Sequence, residues 1–199
     1  MRRGTKYEIR MSGPASPDIT FKPLTAEDFP HMHRWLTNAA VSAWYGLGMT
    51  NVRSPTLEDV IEHYTPRMLG RTPTRAWTIR LAGRRIGYIQ CYRTGDWPPY
   101  AEAVGVDPDA WGIDLFIGED AARGAGTGTA VLRRFVEEHI FSRPGITTAV
   151  ISPSADNARA IRCYEKAGFR HVRTVRVEES SKEEYVMVLE RDEDENCQR

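Results

Sequence analysis

At 199 residues with 41% hydrophobic side chains, the chain is long enough to bury one substantial core and suits a single domain better than two. Lys plus Arg and Asp plus Glu each total 27, so no overall field points to nucleic acid or an anionic membrane as partner. Cys91, Cys163 and Cys197 are an odd set at wide spacing, which supports neither a disulfide framework nor a zinc site and suits a reducing cytoplasm.

Residues 1–18 contain Gly13, Pro14, Ser16 and Pro17 and read as a flexible leader; Arg2, Arg3, Lys6 and Arg10 lie in it without the apolar run of a signal peptide. The folded domain is expected over 19–190. Ile19 to Leu24 is predicted as the first strand, and Thr25 before Glu27 and Asp28 starts a helix carrying Met32, Trp35 and Leu36, with Pro30 in its first turn. His31 and His33 fall in this helix without the spacing of a metal motif, so they are read as surface residues and no metal is expected. Thr56 and Asp59 form a capping-box pattern, after which Leu57, Val60, Ile61 and Tyr64 recur at helical spacing as far as Pro66 or soon after. Trp77 to Leu81 alternates apolar and polar, Gly83 supplies a turn, and Ile86 to Tyr92 completes a predicted hairpin. Trp111 to Gly118 is an apolar strand. The turn Arg123-Gly124-Ala125-Gly126-Thr127-Gly128 then opens into Val131, Leu132, Phe135, Val136 and Ile140 at helical spacing. Thr147 to Ser152 is a short β-branched strand, and Asn157 to Ala167 is a helix closed by Gly168. Residues 169–177 and 184–190 make a closing strand pair, and 191–199, with Asp192, Glu193, Asp194 and Glu195, is an acidic tail. No stretch approaches the roughly 20 apolar residues that span a bilayer, so no membrane partner is expected.

The glycine turn carries the chemistry. Backbone N–H groups and the positive end of a helix dipole converge there, so it should hold an anion, and glycine permits both the backbone angles and close approach of phosphates. A P-loop would require lysine after its last glycine, but Thr129 follows Gly128; the dinucleotide fingerprint would require Gly-x-Gly-x-x-Gly, but Gly124, Gly126 and Gly128 are two apart.

Arg123-x-x-Gly126-x-Gly128 resembles the pyrophosphate-binding motif of the GNAT acetyltransferases, and Asn157-x-x-Ala160-x-x-x-Tyr164-x-x-x-Gly168-Phe169 is similar to the same superfamily's second motif. Within it the chain looks closest to the aminoglycoside 6'-N-acetyltransferases, through Trp44-Tyr45-Gly46, Pro55-Thr56-Leu57-x-Asp59-Val60, Ile86-Gly87-Tyr88-x-Gln90-x-Tyr92, Gly112-Ile113-Asp114 and the block from Asn157 to Phe169. The resemblance implies an α/β (α+β) fold: one GNAT domain with a mixed central sheet of about seven strands, splayed at the acetyl-CoA site, and about four helices.

It also implies the site. Acetyl-CoA, as cosubstrate, would lie along backbone of Leu115, Phe116 and Ile117. Its diphosphate would sit on Arg123, Gly124, Ala125, Gly126, Thr127, Gly128 and Thr129, with Arg162 on the coenzyme arm and Asn157 either on that arm or holding the strand end open. Tyr164 is the expected general acid at the thioester sulfur. Asp114 matches the family's base, acting directly, through water, or as an electrostatic anchor, because an ordinary Asp is a weak base for an ammonium. Glu119 is the runner-up base. A cationic amine acceptor would meet Trp44, Tyr45, Gln90, Tyr92 and Trp97 as walls, Glu102, Asp107 and Asp109 as further carboxylates, and Ser152 where the aminoglycoside family has a second pocket aspartate. The implied function is acetylation of an aminoglycoside at its 6'-amine, or at the 2'-amine of a kasugamycin-like acceptor, by a cytoplasmic monomer or homodimer. Alternatives are acetylation of a siderophore lysine or a protein N-terminus, and a non-catalytic CoA-binding module.

Overall fold

A computed structural model describes residues 18–46, 53–176 and 183–191. Most of the leader and of the acidic tail, Cys197 and the last residue of the predicted strand 169–177 lie outside the described residues. The two that do appear at the ends are tied to the domain: Asp18 accepts a backbone hydrogen bond from Ala82 at 2.8 Å, and Arg191 donates one to Thr147 at 2.8 Å.

Seven strands form one mixed sheet in the order β1-β2-β3-β4-β5-β7-β6. They are β1 (Ile19–Pro23), β2 (Arg75–Leu81), β3 (Arg84–Arg93), β4 (Trp111–Ile117), β5 (Thr148–Ile151), β6 (Arg170–Arg176) and β7 (Glu183–Glu190). Six α-helices flank it among the described residues: α1 (Phe29–Leu36), α2 (Ala39–Ser42), α3 (Leu57–Met68), α4 (Pro98–Val104), α5 (Thr127–Phe135) and α6 (Ala158–Ala167). That exceeds the expected four because α2 and α4 are too short to show a helical period. α4 instead starts on Pro98 and Pro99, where the first turn needs no N–H, and stops on Gly105 in the left-handed region at φ 60. None of the helices is long and apolar enough to cross a membrane.

Side-chain parity divides the core into two faces. Ile89, Cys91 and Ile113 point towards α5, whose Val131, Leu132 and Phe135 bury the stripe predicted from their spacing. Phe135 takes Phe21 and Trp77 edge-on at 5.1 and 5.2 Å. The alternate residues Tyr88 and Phe116 point the other way and pack with Trp35, Leu36, Val60 and Tyr64 of α1 and α3. β3 is therefore covered on both faces, which explains why its sequence alternates poorly. α3 has the predicted capping box, with the Asp59 N–H donating to Thr56 Oγ1 at 3.2 Å and the Thr56 N–H to Asp59 Oδ2 at 2.7 Å. His31 and His33 are half-buried rather than surface groups: one ring lies 5.8 Å from Trp35, and the other makes a 3.1 Å hydrogen bond with the Pro55 carbonyl.

Candidate active site

β4 and β5 run parallel but pair only through Trp111 with Ala149 and Gly112 with Val150. From Ile113 onward β4 keeps β3 on one side and faces a gap on the other. That gap is the mouth of a cleft of about 430 Å³ running between the ends of β4 and β5, the glycine turn and α6. Leu115, Phe116 and Ile117 line it, so the strand edge there offers backbone groups without a neighbouring strand.

The glycine turn closes one end. Gly124 and Gly126 hold φ of 102 and 80, and a Cβ on either would meet nothing within 4 Å, so their surface is open cradle rather than packed loop. Gly126 caps the N-terminus of α5, whose first N–H groups are free to meet an anion there. Arg123, Gly124, Gly126, Gly128 and Thr129 line the cleft; Ala125 and the buried Thr127 belong to the same turn without lining it. The Arg123 guanidinium donates to the carbonyls of Ile117 and Gly118 at 3.0 and 3.2 Å and pairs with Asp120, so its side chain ties the turn to the end of β4. Thr129 Oγ1 donates to the Cys163 carbonyl at 3.2 Å, joining α5 to α6. On α6, Arg159, Arg162 and Lys166 all reach the cleft, one helical face of three cations beside the cradle. Only Arg162 was expected there; the i, i+3, i+7 spacing was the available signal for the other two.

Asp114 lines the cleft, half-buried. β3 and β4 place Gln90 directly across from it, and a chain of hydrogen bonds fixes its carboxylate: Tyr88 Oη donates to Gln90 Oε1 at 2.6 Å, and Gln90 Nε2 donates to Asp114 Oδ2 at 2.7 Å. Burial raises the Asp114 pKa from its ordinary value, against the pull of Gln90 and the Arg67 guanidinium. Tyr164 reaches the cleft from α6, half-buried against the core, and burial and the charges of Cys163 and Asp114 push its phenol up. Asn157 lines the cleft but spends its Oδ1 accepting from the Ala160 N–H at 3.1 Å, as the N-cap of α6.

The remaining expected residues divide. Trp44, Tyr45 and Ser152 line the cleft, Tyr45 with its ring 4.8 Å from Phe116. Tyr92 lies beside them across Gly112, where a Cβ would strike its ring at 2.6 Å. Trp97 is 42% exposed and, among the described residues, meets the site through an edge contact with Tyr92 at 6.4 Å. Glu102, Asp107 and Asp109 are exposed and outside the cleft: Asp109 pairs with Arg93, and Asp107 Oδ1 accepts the Asp109 N–H at 2.8 Å. Glu119 is turned away as well, with Arg34 paired to it and the Trp35 indole donating at 2.8 Å, contacts that hold its carboxyl below the usual range. Tyr100 of α4 and Glu184 of β7 were not foreseen. The Tyr100 hydroxyl shares a 2.8 Å hydrogen bond with Ser152, and its ring stands 6.2 Å from Tyr92. Among the described residues no His, Cys, Asp and Glu group could hold a metal ion.

Comparison with known proteins identifies the family. The acetyltransferase (GNAT) domain family matches residues 25–177. The aminoglycoside N(6')-acetyltransferases type 1 of Klebsiella pneumoniae and Serratia marcescens are each 35% identical over 172 residues, covering 86% of this chain and 82% of theirs. Among solved structures, aminoglycoside acetyltransferase AAC(6')-Ib with ribostamycin and coenzyme A superposes with a TM-score of 0.78 at 32% identity, over 91% of this chain and 98% of that one.

Proposed function

Because the chain belongs to the GNAT acetyltransferase family, we propose that it transfers the acetyl group of acetyl-CoA to the 6'-amine of an aminoglycoside antibiotic and so confers resistance. The observation that carries this reading is the placement of a deep carboxylate, Asp114, and a protonated phenol, Tyr164, in a single cleft whose far end is a glycine cradle rimmed by Arg159, Arg162 and Lys166. Relatives that share this fold at about a third identity bind coenzyme A and aminoglycosides.

The residues present fit acetyl-CoA. The open faces of Gly124 and Gly126 leave room for a diphosphate, and the unpaired edge of β4 leaves room for an extended pantetheine arm. When bound, the coenzyme supplies the acetyl group as an activated thioester. The protein supplies the rest. A backbone N–H on the free edge between Ile113 and Ile117 would serve as the donor to the carbonyl oxygen where charge gathers. Asp114, raised by burial, attracts the acceptor's ammonium and takes its proton directly or through water. Tyr164, which lines the cleft, would donate its phenolic proton to the thiolate that leaves. A cytoplasmic location completes the proposal, since free Cys91 and Cys163 suit a reducing compartment.

Two measurements test it. Thiol release from acetyl-CoA over an aminoglycoside panel should show turnover, with NMR of the product placing the acetyl group on the 6'-nitrogen; no turnover on any member ends the proposal, and acetylation at a 2'-amine corrects its position. Independently, Gly126→Val should weaken coenzyme A binding about 10- to 100-fold by calorimetry, because a β-branched residue at φ 80 is strained and its side chain fills the cradle.

A further inference from the structure

β7 brings a second carboxylate, Glu184, next to the cleft: its backbone pairs with that of Ser154, which lines it, although Glu184 itself is not part of the lining. Parity puts Glu184 on the same sheet face as Val186 and Val188, which pack with Tyr100, while Met187 points to the opposite core. The same parity puts Gln90, Tyr92 and Asp114 on this face, so a polar strip crosses the sheet from Tyr88 through Asp114 to Glu184. The backbone of Glu184 forms an antiparallel β-bridge with Ser154, which lines the cleft two residues beyond Ser152, and Ser152 is hydrogen-bonded to Tyr100.

Resting on the reading of this protein as an aminoglycoside acetyltransferase, we propose that Glu184 binds a second ammonium of the acceptor, opposite the amine that Asp114 and Tyr164 process. Half-buried, its carboxylate has no cation or hydrogen-bond donor side chain among the described residues, although Asp114 is held by Gln90. The rings of Tyr92 and Tyr100 stand 6.2 Å apart, and the charges of both carboxylates bear on their hydroxyls. The charge of Asp114 is felt at both Tyr164 and Glu184. Burial and the Asp114 charge push Glu184 up to about 7, the mark of a carboxylate that lacks a cation. A polyamine sugar supplies that cation, and its hydroxyls suit Tyr100 and Ser152.

The test is steady-state kinetics with kanamycin on wild type, Glu184→Gln and Glu184→Asp, alongside the thermal midpoint of each. Loss of one charged hydrogen bond should raise the kanamycin KM roughly 10-fold in the Gln variant, with kcat and the acetyl-CoA KM carrying little of the change. The Asp variant, which keeps the charge on a shorter arm, should fall between. A Gln variant with wild-type KM, or one losing kcat alone, overturns the assignment of Glu184 while leaving the enzyme's function intact. A wild type inactive on kanamycin and every other aminoglycoside overturns the substrate reading and this proposal with it.

Discussion

Asp114→Asn is expected to lower kcat on an aminoglycoside about 100- to 1000-fold while leaving the protein as stable as the wild type or more so. The substitution removes the charge and the proton acceptor but keeps the shape, and an Asn oxygen can still accept from Gln90 Nε2, so the Tyr88–Gln90 chain survives. The division between kcat and KM separates the residue's roles: a base or a water-activating group costs kcat, whereas a pure anchor for the cation raises KM. The pH dependence has a definite sign. Wild-type kcat should fall towards acid as Asp114 takes a proton, on a limb displaced upward from that of an ordinary exposed Asp, and that limb should vanish in the variant. The stability effect runs opposite. A carboxyl whose folded pKa is raised binds protons more readily in the folded state, so it favours folding at low pH and opposes it once pH rises through the raised value. Removing the charge removes that opposition at neutral pH. Wild-type kcat in the Asn variant, or a variant that loses activity only because its thermal midpoint drops, would refute the role assigned here.

The coenzyme side of this site is legible in sequence and the acceptor side is not, for a physical reason. Anion binding rests on local backbone: a glycine turn opening a helix, and a second helix with Asn157 at its start and Gly168 at its end, are all written in spacings of a few residues. Acceptor recognition rests on contacts between distant elements. Glu184 reaches the strip only because β7 inserts between β5 and β6, and Tyr100 only because the short α4 docks over β6. The misplaced acids show the same thing from the other side. Glu102, Asp107 and Asp109 precede the catalytic strand in sequence, yet they are acidic because they face water, and Arg93 already neutralises one of them. The fold followed the same rule: long periodic segments such as α5 were predicted, while α2 and α4, too short for a period, were absorbed into loops.

Tyr164→Phe is expected to reduce kcat about 100-fold at an unchanged coenzyme A affinity. The size follows from comparing two acids. A thiol leaving group has a conjugate-acid pKa near 8.5, and the phenol starts near 10 and is pushed higher by burial and by the Asp114 charge. Complete proton transfer from Tyr164 to sulfur is therefore uphill, so the hydroxyl acts as a hydrogen-bond donor whose proton moves as charge develops, at the low end of the 10²- to 10⁴-fold range for general acids. The same raised pKa fixes the pH behaviour: the phenol stays protonated throughout the range in which such an enzyme is assayed, so the variant's profile should be displaced downward without changing shape. The hydroxyl has no hydrogen-bond partner among the described residues, so its loss should leave the thermal midpoint nearly unchanged. Rates equal to wild type from pH 6 to 9 would remove Tyr164 from the reaction, and a variant that lost only the alkaline part of its profile would show that its proton is more acidic than burial allows.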